Sequence, residues 1–235
     1  MDKIKLILDN HVNLRQDSLL LRRILQEIVE TVDLKEYISC LLSDKHILAQ
    51  ISKLSYKHAN GFFKIVLHAS ENYKLRLHIW RKDEKAYHED IHNHRWNFAS
   101  YVLIGGYRNE IYEEANSGIL KYKYFYYPRL SKTNFILEYK GVKHLELVER
   151  IVFSADSYLV LDCHVLHKVN LVESDYTATL FLAGSALDDH TQIYSDDLII
   201  DSNEIDSPNI SIFDLENIFI ELISKCKNGN TKYTS

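Results

Sequence analysis

The chain has 235 residues, of which 46% are hydrophobic and 26% are charged, a balance typical of a folded globular protein and unlike a disordered or collagen-like chain. A net charge of −5 argues against a nucleic-acid-binding protein, and no apolar run reaches the roughly 18 residues that a membrane span needs. The three cysteines are unclustered, and the N-terminal apolar stretch is too short for a signal peptide. We therefore expect a reduced, cytoplasmic protein without a membrane partner.

The first section of the chain, from residue 12 to about residue 55, has helical periodicity. Asp17 and Ser18 can cap a helix whose apolar residues recur every three or four positions. Residues 33–42 and 44–54 predict two further short helices. Residues 1–60 are thus expected to form a helical segment that packs against the rest of the protein.

The middle section, residues 61–186, has the pattern of an antiparallel β-barrel or sandwich. Short runs rich in β-branched and aromatic residues alternate with turn residues. They predict strands at residues 62–68, 73–80, 96–104, 107–113, 120–126, 134–139, 144–153, 158–161, 166–172 and 177–182. The run 120–126 alternates lysine and tyrosine, which favours a strand at a sheet edge, with a dimer contact as the alternative.

The last section, residues 187–235, begins with an acidic, turn-rich stretch. Residues 188–206 could be a lid over the mouth of the barrel or a plain surface loop, and residues 213–225 predict a closing helix. We expect the three sections to form one domain overall.

Two of the 12 histidines, His92 and His94, are spaced for metal binding. If this segment is a strand, both imidazoles project from the same face and can share a metal ion. The alternative is an ordinary exposed hairpin. His88 has the same parity but falls in a charged loop, which makes it a weaker candidate.

A second cluster, about 70 residues later, contains Cys163, His164 and His167. A turn followed by a strand could bring His167 to the first pair, whereas His164 is an odd step away and should face outward. Cys163 could be a thiolate ligand or, more commonly, a buried inert cysteine. Three imidazoles on one face of a barrel leave coordination positions open, as catalytic metal sites do.

These residues resemble the two conserved motifs of the cupin superfamily. The first cupin motif is His-x-His followed four residues later by Glu; here His92-Asn-His94 is followed at that position by Phe98. A glycine pair at 105–106 ends the next strand, and His167 lies in the second motif. A three-histidine site without the glutamate is similar to that of the cysteine-dioxygenase-like cupins.

The resemblance covers roughly residues 15–185 and implies a cupin double-stranded β-helix, or jelly-roll barrel. With the helices read from the apolar pattern, we expect a mainly β fold that has N-terminal helices and a C-terminal helix. It implies that His92, His94 and His167 bind Fe(II), with Zn(II), Ni(II) or another divalent metal as alternatives. A small-molecule substrate and dioxygen are the implied partners. The oligomeric state stays open, with a homodimer through a sheet edge as one option.

The chain departs from the cysteine dioxygenases in three ways. The strand at 179–183 lacks their His and Tyr, no cysteine lies near position 98, and only Lys57 and Lys64 lie where an arginine would hold the substrate carboxylate. The resemblance therefore implies the scaffold and the metal, and does not imply cysteine as the substrate.

Four residues are candidates for the substrate pocket. Arg76 and His78 alternate with aliphatic residues, so they could line the barrel lumen and hold an anionic group, or form a solvent-facing stripe. Trp96 and Phe98 share parity with His94 and could form an apolar wall beside the metal, or be ordinary core aromatics. No catalytic acid or base stands out.

The function predicted from these features is a mononuclear non-haem iron oxygenase or dioxygenase acting on a small polar, amino-acid-like metabolite. A non-redox cupin that binds a metabolite or partner is the first alternative. A metal-dependent isomerase or hydrolase is the second, since a three-histidine site permits that chemistry too.

Overall fold

A computed structural model describes residues 2–11, 17–58, 60–82, 89–128, 135–171, 175–199 and 209–226. Within these ranges four helices precede the strands and a fifth follows them. The helices are α1 Lys3–Asn10, α2 Ser18–Thr31, α3 Leu34–Ser43, α4 Lys45–Leu54 and α5 Ile212–Lys225. The strands are β1 Tyr56–Lys57, β2 Phe62–Ala69, β3 Lys74–Arg81, β4 Ile91–His92, β5 Phe98–Ile104, β6 Gly106–Ala115, β7 Ile119–Pro128, β8 Phe135–Ser154, β9 Tyr158–Leu161, β10 Leu166–Leu171, β11 Tyr176–Ala183 and β12 Thr191–Ser195.

Aspartate side chains cap the three helices that the sequence predicts before the barrel. Asp17, Asp33 and Asp44 each accept a hydrogen bond from a backbone N–H in the first turn of α2, α3 or α4, which satisfies donors that have no partner within the helix. These caps confirm the three predicted helix starts. Helix α1, also capped by an aspartate, Asp2, precedes them and was not predicted.

The strands form two antiparallel sheets. The first has the order β1-β2-β3-β11-β5-β9, and the second closes on itself in the order β10-β4-β12-β7-β8-β6. The helices cover the outer face of the first sheet, and the main hydrophobic core lies between them. This architecture confirms the predicted mainly β fold with N-terminal helices and a C-terminal helix.

Strand β3 contributes to both faces of the first sheet. Leu75, Leu77 and Ile79 are fully buried in the core under the helices. Arg76 and His78 alternate with them and point into the lumen between the sheets, where they are only 4% and 9% exposed. The solvent-facing stripe is therefore wrong, because the lumen encloses these polar side chains.

Three sequence-based expectations need correction. The strands at 134–139 and 144–153 are parts of one strand, the 20-residue β8, which continues through Gly141 at a φ of 97°. Strand β7 is not a sheet edge, because it pairs with both β8 and β12. Its lysines are ion-paired, Lys121 with Asp196 and Lys123 with Glu114.

Part of the stretch at 188–206, expected as a lid or a loop, is a strand. Residues Thr191–Ser195 form β12, which pairs with β4 and β7 inside the second sheet. Residues 200–208 lie outside the described ranges. None of the helices in the described part of the chain is long and apolar enough to span a bilayer.

Candidate metal centre

The three predicted ligands meet in the lumen of the barrel. His92 on β4 lies directly opposite His167 on β10 in the antiparallel pairing of these strands. The ring centres of His92, His94 and His167 are 4.8–5.0 Å apart. Nε2 of His94 lies 2.9 Å from Nε2 of His167. The three side chains could therefore bind one metal ion.

His94 reaches this cluster from outside the strand. Strand β4 ends at His92, so the strand parity expected for His92 and His94 does not apply. Backbone hydrogen bonds instead hold the segment in place, from Asn93 N–H to Gln192 O at 3.1 Å and from His94 N–H to Cys163 O at 3.2 Å. The segment is tied to β12 on one side and to the turn before β10 on the other.

Hydrogen bonds at Nδ1 set the tautomers of two of the imidazoles. His92 donates its Nδ1–H to the backbone oxygen of Asp90 at 2.9 Å, and His167 donates its own to Oδ1 of Asn109 at 2.8 Å. With the proton on Nδ1, the Nε2 lone pair is free to face an ion. Metal-bound histidines in proteins make the same kind of outer contact.

Burial keeps the imidazoles in the form that binds metals. Desolvation lowers the pKa of His94 and the pKa of His167 well below the usual range of histidine. Both rings are thus neutral at pH 7, with a lone pair available for a cation. The contact between their Nε2 atoms at 2.9 Å brings two such donors close enough together to hold the same ion.

Aromatic rings form one wall of the site. Phe98 is 1% exposed, and its ring centre lies 4.8 Å from that of His94. The ring of Phe181 on β11 stacks on Phe98 at 4.6 Å, and Trp96 lies parallel to His94 at 6.0 Å. Trp96 and Phe98 therefore lie beside the triad, and Phe181 extends the wall.

The polar side of the lumen lies next to this wall. The guanidinium of Arg76 is 5.0 Å from the ring centre of Trp96, and His78 stacks on Phe181 at 4.7 Å. Four buried polar atoms here have no hydrogen-bond partner among the described residues: Nε of Arg76, Nε2 of His78, Nε1 of Trp96 and Oγ1 of Thr179. Such atoms are costly to bury unsatisfied, so they are ready to bind a polar molecule.

Asn109 was missed by the sequence analysis. It is fully buried, it holds His167, and its own Nδ2 has no partner among the described residues. It also lines a cavity of about 520 Å³ with mainly apolar walls from β6, β8 and β9 and with the exposed Arg22 of α2. That cavity borders the site on the Nδ1 side of His167.

The weaker candidates do not join the cluster. His164 is exposed, as expected for a residue that faces away from His167. Cys163 is buried, burial raises the pKa of its thiol, and it is not among the grouped ligand atoms. His88 lies outside the described residues. A second group in the described ranges, Asp188, Asp189 and His190, is partly exposed and bonded within itself.

Comparison with known proteins gives similarity to solved structures alone. No family model matches the sequence, and no curated protein matches it. The chain is similar to a hydroquinone 1,2-dioxygenase from Sphingomonas sp. TTNP3, with 10% identity over 52% of this chain and 65% of that chain and a TM-score of 0.35.

The chain is also similar to two further solved structures. A cupin superfamily protein from Desulfitobacterium hafniense DCB-2 has 9% identity, covers 57% of this chain and 87% of its own, and has a TM-score of 0.29. A protein with a double-stranded β-helix domain from Klebsiella pneumoniae has 9% identity, and the match covers 62% of this chain and 95% of that chain with a TM-score of 0.32. With likenesses this distant, the site rests on the geometry of the three histidines.

Proposed function

We propose that this protein is a mononuclear non-haem iron enzyme of the three-histidine type, which oxygenates a small polar, amino-acid-like metabolite. His92, His94 and His167 would hold Fe(II) through their Nε2 atoms. The observation that carries the proposal is the convergence of three imidazoles in an enclosed lumen, with His94 and His167 in contact through Nε2 at 2.9 Å.

The ligand set favours a catalytic over a structural metal. All three donors are imidazole nitrogens, and no carboxylate or thiolate belongs to this group among the described residues. A three-ligand site leaves coordination positions open, whereas structural zinc sites are closed by a fourth protein ligand. Imidazole suits iron, zinc, copper and nickel, so the metal is a matter for measurement.

The surrounding residues would divide the work of substrate binding. Bound Fe(II) would supply one-electron and dioxygen chemistry that side chains lack. Phe98 and Phe181 would keep bulk water from the triad. The unsatisfied polar atoms of Arg76, His78 and Trp96 would orient the polar substrate, because a polar ligand supplies the partners that they lack.

Metal analysis of the purified protein tests the ligand assignment. We expect about one equivalent of metal in the wild type and large losses in His92→Ala, His94→Ala and His167→Ala. His164→Ala is the matched control, since it removes an exposed histidine three residues before His167 and should leave the metal content unchanged. Full metal retention in any of the three lumen variants would refute that residue as a ligand.

Oxygen uptake tests the reaction class. Iron-loaded protein should consume dioxygen with amino acids or amino-acid-derived acids, and the three ligand variants should not.

A non-redox cupin or a metal-dependent isomerase or hydrolase is the second candidate. It is favoured by Thr179 and Phe181, which occupy lumen positions where cysteine dioxygenases carry functional residues. Metal binding with substrate turnover but no oxygen uptake would support the isomerase or hydrolase, and ligand binding without turnover would support the non-redox cupin.

A further inference from the structure

The lumen beside the triad holds two cations on neighbouring strands. Lys64 on β2 pairs directly with His78 on β3, and Arg76 lies two residues before His78 on the same face. Diagonal neighbours of this kind have Cα atoms about 7–8 Å apart, so both side chains can reach one group. Arg76 is 4% exposed, and Lys64 is partly buried.

Neither cation has an acidic partner in the described part of the chain. Both contact aromatic rings instead. The ammonium of Lys64 lies 5.3 Å from the ring centre of Tyr56. The guanidinium of Arg76 lies 5.0 Å from the ring centre of Trp96 and 5.6 Å from that of Phe181. Nε of Arg76 donates no hydrogen bond to any of these described residues. Two further cations, Lys74 and Arg95, are close enough for their charges to act on Lys64.

An arrangement of this kind is unfavourable without an anion. Burial lowers the pKa of Lys64 well below the usual range of lysine, with a further contribution from the charge of Arg76. Burial also lowers the pKa of Arg76, to about 10, so the guanidinium stays charged at pH 7. Buried charges in proteins are normally paired, and in this chain even the exposed lysines Lys5 and Lys82 have an acidic partner.

We propose that Lys64 and Arg76 form the binding site for a dianionic group of the substrate, of the phosphate monoester or phosphonate class. This inference rests on the proposed function, since it names the substrate class of the same lumen. A planar guanidinium can donate two parallel hydrogen bonds to one oxyanion, and an ammonium adds a point charge from a second direction. The indole of Trp96 is near both Arg76 and His94, so a small molecule held here could extend along it towards the triad.

The number of cations argues for two negative charges. One arginine is enough for one carboxylate, but here an arginine and a lysine share a site, and the charges of Lys74 and Arg95 also act on Lys64. The unsatisfied atoms of His78 and Thr179 could bind the remaining oxygens, because a tetrahedral oxyanion offers more acceptors than a carboxylate.

Calorimetric titration of the metal-free protein tests the proposal without relying on activity. The probes are inorganic phosphate at about pH 8, where it is a dianion, together with acetate, methyl phosphate and methylphosphonate. We expect phosphate to bind at least about tenfold more tightly than acetate. The stronger of the two methyl compounds identifies an ester or a phosphonate as the natural group.

Three variants locate the binding. Arg76→Gln and Lys64→Met should each weaken phosphate binding at least about tenfold, whereas Arg23→Gln, which removes an exposed guanidinium from α2, should have no effect. If Arg76→Gln fails to fold, Lys64→Met carries the test. Lys64→Met should also raise the Tm without phosphate, because it replaces a partly buried amine that has no acidic partner among the described residues by an apolar chain of similar length.

Equal binding of acetate and phosphate, or phosphate binding that survives both lumen substitutions, would overturn the proposal. Metal analysis of wild type and variants as purified, before the metal is removed for calorimetry, separates its failure from that of the proposed function. Phosphate binding without metal retention would contradict the metal centre and support the anion site, and metal retention without phosphate binding would do the reverse.

Discussion

His167 donates its Nδ1–H to the side-chain oxygen of Asn109, a fully buried residue on the neighbouring strand, at 2.8 Å. The same strands pair their backbones, with His167 opposite Ile111 and Val169 opposite Asn109. One amide thus fixes both the ring orientation and the tautomer of a candidate metal ligand.

Replacing Asn109 by alanine should weaken metal binding without removing a ligand. We expect a loss of about 10- to 100-fold in metal affinity, as is typical when the outer partner of a metal-bound histidine is lost. The unpaired Nδ1–H should also cost about 1–3 kcal/mol of the free energy of unfolding. Metal titration and denaturant unfolding measure the two effects. Asn72→Ala, in the turn before β3, is the control, and equal metal affinity in Asn109→Ala and wild type would contradict the role.

Replacing Phe98 by alanine should destabilise the barrel and open the site. Phe98 is 1% exposed and packs between His94 and Phe181, so its removal leaves a cavity that costs about 3–5 kcal/mol. Phe98→Leu keeps most of the volume and should cost less than about 2 kcal/mol. Denaturant unfolding of both variants checks the order. A similar loss in both would mean that the ring itself, and not its volume, stabilises the fold.

Glu114 should stabilise the fold at neutral pH and lose this effect in acid. Burial by itself would raise the pKa of this carboxyl, but hydrogen bonds from Lys123 and Tyr194 outweigh it and lower the pKa to about 2. A lowered pKa stabilises the fold above the unfolded value of about 4.3 and loses that effect as the pH falls towards 2. Because the side chain is 35% exposed, solvent screening reduces the contribution to about 1 kcal/mol.

Glu114→Gln should therefore lower the free energy of unfolding at pH 7, and its difference from wild type should narrow between about pH 4.5 and pH 3. Urea unfolding across this range measures the difference, with the exposed neighbour substitution Glu113→Gln as the control. A constant difference from pH 7 to pH 3 would show that packing, and not the charge of Glu114, accounts for the loss.

Gly106 should not accept a larger side chain. A Cβ at this position would lie 2.6 Å from the backbone oxygen of Phe153 on the paired strand β8. Gly106→Ala should cost about 1–3 kcal/mol, because the obstacle is backbone and cannot rotate away. Gly141→Ala is a useful comparison: nothing lies near its Cβ, so only the φ of 97° opposes the substitution, at about 1 kcal/mol. Thermal unfolding ranks the two, and the reverse order would contradict this account.

Local chemistry explains which elements could be predicted from the sequence. Asp17, Asp33 and Asp44 are caps whose effect lies within one turn of helix, so the starts of α2, α3 and α4 were predictable. The boundary expected between 139 and 144 was wrong, because Gly141 adopts a positive φ inside a continuous strand. Strand β4 has two residues, too few for any periodicity to indicate it.

The candidate site was predictable only where its residues are close in the sequence. The spacing of His92 and His94 is visible in the chain, and a second histidine cluster suggested the third ligand. Asn109 carries no comparable signal, because its contact with His167 depends on the register between β6 and β10. Among the residues that the structure describes, the separation of Lys64 and Arg76 from acidic side chains likewise depends on which strands adjoin β2 and β3.

The alternation along β3 makes this strand intolerant of any change in length. Leu75, Leu77 and Ile79 face the helices, and Arg76 and His78 face the lumen, so neighbouring residues serve two incompatible environments. A single-residue insertion would exchange the two sets. The charged side chain of Arg76 would then face the apolar core, and a leucine would take its place in the lumen. Folding and ligand binding therefore depend on one shared register, and a slip that destroyed one would destroy the other.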